Sequence, residues 1–510
     1  MSWSDPVAFA DVWARQVAAR HDAPFLVFEA SDGSVRAWTY GEFDREVGRV
    51  AAGLAARGVG AGSAVHLALT NSPSFVAVWL AANGLGAWIV PSDPMGRGPE
   101  LRGHIERTSP SVGVCSRHRH DVYASAADGV LAEVVVVDED DLDLSPWPDR
   151  PQALRAASAV GLRDRAAVMF TSGTTGVPKG VEITQANYAF AGKAMAERAG
   201  LTPEDRQLVV LPLFHANAQY YSFASAIWAG ASVALVHTFS ASGFLHQAAR
   251  HGATCASLFA APMRMILARG EPVDGLRLRH CWFAQNVGDD QYETLAGWFG
   301  CRPRQLYGMT ETIPAVLTDE AAAPEPASMG FVTPGCEVDL HDADGRSVEP
   351  GEVGEIVVGG EPGITLFAGY LDMPEVTAAS FRGRWFRTGD RAMRTADGRF
   401  VFDGRRSDVL KVAGENVSTV EVEQTLASHP KVLEAAVVGR PDPVRDEVPI
   451  AFVVPTDAAA PPSVDELATW CEERLGKAKR PQGFTLLDEL PRTSVGKIRK
   501  FLLRDPEAEA

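Results

Sequence analysis

The chain has 510 residues, 46% of them hydrophobic, and a formal charge of −17. Such a length exceeds one compact core, so at least two domains are expected, and the acidic balance excludes a general attraction to nucleic acid. Any anionic ligand must be held by a local site. Six cysteines without a CxxC pair read as reduced core residues of a cytoplasmic protein. Asp5 and Asp11 precede any apolar run, which argues against a signal peptide. The most apolar stretches, "FVAVWLAANGLGAWIV" and "YYSFASAIWAGASVALV", are interrupted by Gly, Asn or Ser and fall short of the roughly 20 residues of a membrane helix, so they read as core.

Short β-branched runs alternate with helical stretches along most of the chain. "SAVHLALT" predicts a strand, "SFVAVWLAANGLG" a helix and "AWIVPSD" a strand. "AAVMF" and "VEIT" predict strands on either side of a loop, "QLVVLPLFH" a strand leading into a helix, and "SVALVH" the next strand. This alternation predicts an α/β fold with largely parallel sheets. From about Glu337, DG and PG turns between short strands predict an antiparallel, β-rich section. Beyond it come a helix ("STVEVEQTLASHP"), two strands ("VLEAAVVGR", "EVPIAFVVP") and a final helix, sized for a small α+β domain. The expected division is therefore a large domain over 1–403 and a small one over 404–510, with a hinge near 403–407.

The loop between the two strands is "TSGTTGVPKG", Thr171 to Gly180. Gly173 and Gly176 permit positive φ and close backbone approach, so successive N–H groups can point at one anion. Ser172, Thr174 and Thr175 add hydroxyl donors and Lys179 a positive charge. It is not a Walker A loop, whose lysine follows glycine and opens a helix. A bare Ser/Thr/Gly stretch is also what an ordinary surface turn looks like. The full string "SGTTGVPKG", however, resembles the signature of the adenylate-forming superfamily of acyl-CoA synthetases, luciferases and peptide-synthetase adenylation domains.

Four further segments resemble the same superfamily in the same order: "YGMTET", "WFRTGD", "DGRRSDVLKVAGENVS" and "PRTSVGKIRK". Each alone has a bland reading, as a turn or a solvated charge; together they span Thr171 to Lys497. The resemblance implies that Tyr307 stacks on adenine, Gly308 belongs to the nucleotide site, Thr310 touches the phosphates, and Glu311 with Thr175 supports Mg²⁺, a cation that prefers oxygen ligands. It implies that Asp390 accepts hydrogen bonds from the ribose and Arg405 meets ribose or phosphate. Ser407 is the implied pivot. Lys497 is the implied catalytic lysine of adenylation, and Lys411, Gly414 and Glu415 the lining of a thiol channel entered after rotation of the small domain. The implied reaction is activation of a carboxylic acid by ATP to an acyl-adenylate, then transfer to coenzyme A. The protein would stabilise charge on a five-coordinate phosphorus and change pose between half-reactions.

Within the superfamily, "LPLFHANAQ" and "LYGMTETI" resemble carnitine-type CoA ligases. The acyl pocket is expected from His215, Ala218 and Gln219 on one helix, from Phe283, Ala284, Gln285, Asn286 and Val287, and from a strand near Gly308–Ile313 that includes Met309. Two departures stand out. Gln185 occupies a usual histidine position after "PKGVEIT", and Phe283–Asn286 put bulk where the superfamily has small residues beside adenine. Bulk there leaves open an enzyme impaired in adenylation that mainly esterifies a supplied acyl-adenylate. Two further alternatives are an adenylation enzyme loading a carrier protein and a non-catalytic nucleotide sensor. A hydrolase is disfavoured because no G-x-S-x-G elbow occurs.

Overall fold

The computed structural model describes residues 5–151, 160–171, 178–285, 287–320, 322–405, 409–412, 415–442, 445–492 and 498–504, with the backbone alone for Arg405, Val409, Lys411, Glu415, Asn416, Asp446 and Phe501. The chain is α/β, as the alternation requires. Four sheets form among the described residues. One of seven strands runs in the order Gly369–Tyr370, Lys179–Thr184, Arg165–Thr171, Trp88–Pro91, Ala64–Ala68, Val112–Ser116 and Val134–Val137. Its last four strands and Arg165–Thr171 pair in parallel, whereas Lys179–Thr184 returns antiparallel to Arg165–Thr171. A nine-stranded sheet runs from Phe331–Val332 through Leu317–Thr318, Arg304–Tyr307, His280–Ala284, Cys255–Phe259, Arg206–Val209, Ser232–Val236 and Pro24–Glu29 to Val35–Thr39.

One apolar cluster joins residues of both sheets to the helix Pro73–Gly84. That helix is buried at every residue, the outcome expected of a helix that is apolar all round. Ser72 caps it by accepting from the Phe75 N–H, and Pro73 fills the first helical position, where a missing N–H costs nothing. Around it Trp79 stacks on Phe9 at 5.4 Å and meets Tyr188 at 5.2 Å.

The predicted antiparallel section is a five-stranded sheet of Glu337–His341, Val353–Gly359, Phe381–Arg382, Trp385–Arg394 and Phe400–Arg405. Beyond it, Val409–Val412, Glu415–Ser418, Val432–Asp442, Asp446–Pro455 and Gly483–Leu486 form a further sheet. Its faces bury two clusters of their own, one with the helices Thr419–Ala427 and Val464–Arg474, the other with Leu503 of Lys500–Arg504. All six cysteines are free; Cys301 and Cys336 are partly exposed and the other four buried. No helix among the described residues is long and apolar enough to cross a membrane.

Candidate active site

The ends of the glycine-rich loop are held at one point. Thr171 lies opposite Lys179 and Phe170 opposite Gly180 in the antiparallel pair that flanks it. Ser172, Gly173, Thr174, Thr175 and Gly176 lie outside the described residues. The Lys179 ammonium sits 4.7 Å from the centre of the Tyr370 ring, a cation–π contact. Tyr370 arrives there because the short strand Gly369–Tyr370 pairs with Glu182 and Val181. Its hydroxyl donates to Glu311 Oε1 at 3.0 Å. Burial, and after it the charge of Glu311, push the Tyr370 hydroxyl pKa upward, which keeps it a donor. One aromatic ring thus spaces a lysine from a carboxylate that is only 4% exposed.

Tyr307 ends the strand Arg304–Tyr307, and its hydroxyl donates to Asp390 Oδ2 at 2.7 Å. Asp390 is buried in the strand Trp385–Arg394, just after Gly389 at φ +75°, and stands opposite Arg405 in the sheet register. Gly308 follows Tyr307 where no side chain fits: a Cβ would lie 2.9 Å from Ala315 Cα and 2.9 Å from Tyr221 Oη. The strand expected near Gly308–Ile313 is not one. Met309 is extended, Thr310–Thr312 makes a single 3₁₀ turn, and Ile313 stands at φ +74°, ψ −77° before Pro314. A β-branched residue in that region is strained. The Thr312 hydroxyl closes the turn by accepting from the Met309 N–H at 3.0 Å.

The bulky strand divides between two faces. Phe283 is fully buried beside Tyr292 in the cluster behind the nine-stranded sheet, and Val287 belongs to that cluster too. Both side chains are packed into that cluster, and successive strand residues point to opposite faces. Ala284 faces the other way, packed against the cluster that Tyr307, Met309 and Ile313 also meet. Gln285 has φ +74°, and its carbonyl accepts from Gln305 Nε2 at 3.1 Å. Asn286 lies outside the described residues.

The helix expected to carry His215, Ala218 and Gln219 is a π-helical stretch, Asn217–Ala224, continued by Ser225–Ala229; His215 precedes it, half-buried. Gln219 has protein partners at both ends of its amide. It is fully buried, donates to the Leu213 carbonyl at 2.6 Å and accepts from the Tyr188 hydroxyl. Ala218 is buried in the main cluster. Gln185 is likewise structural: fully buried, it accepts from the Ala10 N–H at 3.0 Å and donates to Asn83 Oδ1 at 3.1 Å. The replacement of histidine there therefore lies in the core of the large sheets.

Among the small-domain candidates, Lys411 pairs through its backbone with Asn416, and Glu415 with Val412, in one hairpin. Gly414, Ser407 and Lys497 lie outside the described residues. Ile498, the residue after Lys497, bridges to Arg492, whose guanidinium pairs with Glu434. No group of three or more His, Cys, Asp or Glu among the described residues forms a cation site. A single buried carboxylate, Glu311, fits Mg²⁺ held chiefly by phosphate oxygens and water. Tyr370 and Tyr221 were missed from sequence because nothing in their spacing ties them to the loop or to Gly308; only strand pairing and helix packing do.

This chain is 32% identical to the crotonobetaine/carnitine–CoA ligase of Citrobacter koseri over 525 residues, covering 98% of each chain. Its structure superimposes on the anthranilate CoA ligase AuaEII in complex with anthranoyl-AMP with a TM-score of 0.88 at 26% identity, over 99% of this chain and 98% of that one. For MatB from Rhodopseudomonas palustris, 26% identical and covered to 98% of both chains, the TM-score is 0.87 against the ATP-bound form and 0.76 against the apo form. The family of AMP-binding enzymes matches residues 13–371, and the C-terminal domain of AMP-binding enzymes matches residues 421–497. On these matches, which together span most of its length, the chain belongs to the AMP-binding enzyme family.

Proposed function

We propose that the protein is an ATP-dependent, AMP-forming acid–CoA ligase. It converts a carboxylic acid to an acyl-adenylate with release of pyrophosphate, then transfers the acyl group to CoA. The observation that carries this reading is the chain Lys179–Tyr370–Glu311 beside the pair Tyr307–Asp390. A cation and a buried carboxylate spaced by one ring suit a triphosphate, and a tyrosine bonded to a buried aspartate suits a nucleoside. Relatives that are CoA ligases, and a neighbour that holds an acyl-AMP, support the same reaction.

In this reading Asp390 accepts from the ribose hydroxyls and Tyr307 lies along the adenine, with Gly308 letting the chain pass close to Ala315 and Tyr221 beside it. Lys179 and the loop from Thr171 hold the departing pyrophosphate. Thr310 and Glu311 stand at the phosphates; Mg²⁺, held by Glu311 with Thr175, would neutralise phosphate charge there. Lys497 orients the carboxylate and stabilises charge at the α-phosphorus during in-line attack. The acid–phosphate bond forms as the bond to pyrophosphate breaks. We assign the pivot to 403–407, with 404–510 rotating so that Lys497 withdraws and the hairpin carrying Lys411, Gly414 and Glu415 lines the thiol path. The CoA sulfur then attacks the carbonyl and AMP leaves. The acyl end is assigned to His215, Ala218, Ala284, Gln285, Asn286, Met309 and Ile313.

The burial of Phe283 behind the nine-stranded sheet weighs against its crowding a purine, and the relatives favour CoA over a carrier protein as acceptor. A panel of carboxylic acids assayed for pyrophosphate release with and without CoA tests the reading. At least one acid should release pyrophosphate and yield a CoA thioester. Nucleotide binding without turnover of any acid or acyl-adenylate would instead mark a sensor.

A further inference from the structure

The helix Gly98–Thr108 carries none of the motifs that led to the site, yet it grips both ends of the phosphate loop. The His104 imidazole stacks on the Phe170 ring, with centroids 4.0 Å apart and planes 6° from parallel. The Arg107 guanidinium lies over the same ring at 4.8 Å. Its Nη1 also donates to the Pro178 carbonyl at 2.5 Å. Phe170 immediately precedes the loop, and Pro178 lies near its far end, just before Lys179. Two side chains three residues apart, on one helix face, therefore hold the entry and exit of the loop together.

The helix is itself anchored from behind. His104 Nδ1 bonds Ser92 Oγ at 2.8 Å, Ser92 Oγ bonds His66 Nε2 at 3.0 Å, and His66 Nδ1 bonds the Tyr123 hydroxyl at 2.8 Å. Thr108 Oγ1 donates to the His104 carbonyl at 2.7 Å. His66, Ser92 and His104 are all buried. Buried polar groups persist when they are bonded, and a satisfied chain of this kind fixes the ring orientation at its end. Burial, and after it the charge of Arg107, lower the His104 pKa to about 4, so the ring stacks in its neutral form and does not repel Arg107.

We infer that His104 and Arg107 are positioning residues for the phosphate loop, holding its two ends at the separation that receives the β and γ phosphates of ATP. The inference rests on the phosphate role of the loop proposed above. Its selectivity is the test, because AMP lacks the two phosphates the loop would hold. Equilibrium binding of ATP in magnesium buffer, and of AMP, is measured for the full-length wild type and for Arg107→Met, His104→Ala and His104→Phe. Arg107→Met should weaken ATP about tenfold or more, the scale of one charge-assisted bond, and His104→Ala about five- to tenfold, the scale of a lost aromatic stack; both should change AMP by less than about twofold. His104→Phe, which keeps the stack, should stay within about threefold of wild type for ATP. Equal weakening of ATP and AMP would reduce the clamp to a general stabiliser and overturn it. So would a wild-type preference for ATP that survives in all three variants. A wild type that binds ATP no better than AMP would overturn the phosphate reading of the loop, and the clamp with it.

Discussion

At Tyr370 one side chain does two separable jobs. Its ring carries Lys179 and its hydroxyl holds Glu311. Tyr370→Phe should keep the first and lose the second. Titration of the activity with Mg²⁺ should then require several-fold more metal, with a smaller change in KM for ATP; Tyr370→Leu should raise both. An unchanged Mg²⁺ dependence in Tyr370→Phe would show that the bond to Glu311 is incidental. Phe283 supplies a second test. Because it is packed in the core beside Tyr292, Phe283→Ala should cost about 3–5 kcal/mol of stability, read from denaturant unfolding, and should not raise pyrophosphate exchange. Faster exchange in that variant would restore the crowding idea. Its bulk was legible in the sequence but its direction was not. Cys281, Trp282 and Phe283 are all apolar, and a strand buried on both faces shows no alternation to say which residue looks at the site. Gln185 misled in the opposite sense: a departure from a motif looked functional, and its partners Ala10 and Asn83 lie far from it in sequence.

Among the elements, strands and loops were legible because their punctuation is local. The paired strands Arg165–Thr171 and Lys179–Thr184 and the antiparallel section after Glu337 all follow from glycine, proline and β-branched residues at their expected places. The π-helical stretch Asn217–Ala224 was not, because its apolar pattern fits an ordinary helix; it packs closely on the helix Gln185–Ala199. Gly192 of the helix Gln185–Ala199 exposes that packing: a Cβ there would lie 2.5 Å from the Ala224 carbonyl oxygen. Gly192→Ala must therefore push the two helices apart. It should lower stability by about 1–3 kcal/mol and raise KM for the acid more than for ATP, since the π-helical stretch borders the acyl end. Equal rises in both constants would place the helix pair elsewhere in the mechanism.

For the whole molecule, stability should fall early on acidification. Burial lowers His66 to about 3 and His104 to about 4, and His104 lends its charge to the shift at His66 as Arg107 does at His104. In the unfolded chain both titrate near 6.5. Between about pH 6.5 and 4 the unfolded state thus binds protons that the folded state refuses, so stability declines as pH falls through that window. Urea unfolding at pH 7, 6 and 5 should show the decline. His104→Phe should make it shallower by up to about 1.4 kcal/mol per pH unit. A wild type equally stable at pH 7 and 5 would contradict the neutral buried chain.

A single pair of half-reaction assays reaches the center of the proposed chemistry. With an acid that the protein converts to its CoA thioester, ATP–pyrophosphate exchange is measured without CoA. Thioester formation from the matching synthetic acyl-adenylate is measured without ATP. The wild type should perform both, and exchange should depend on the acid. Lys497→Ala should lose exchange by about 100-fold or more, the scale of a lost transition-state contact, while forming thioester from the adenylate at close to the wild-type rate. Thioester formation from acid and ATP with no exchange, or equal loss of both half-reactions in Lys497→Ala, would contradict activation through an acyl-adenylate by a lysine that serves the first step alone.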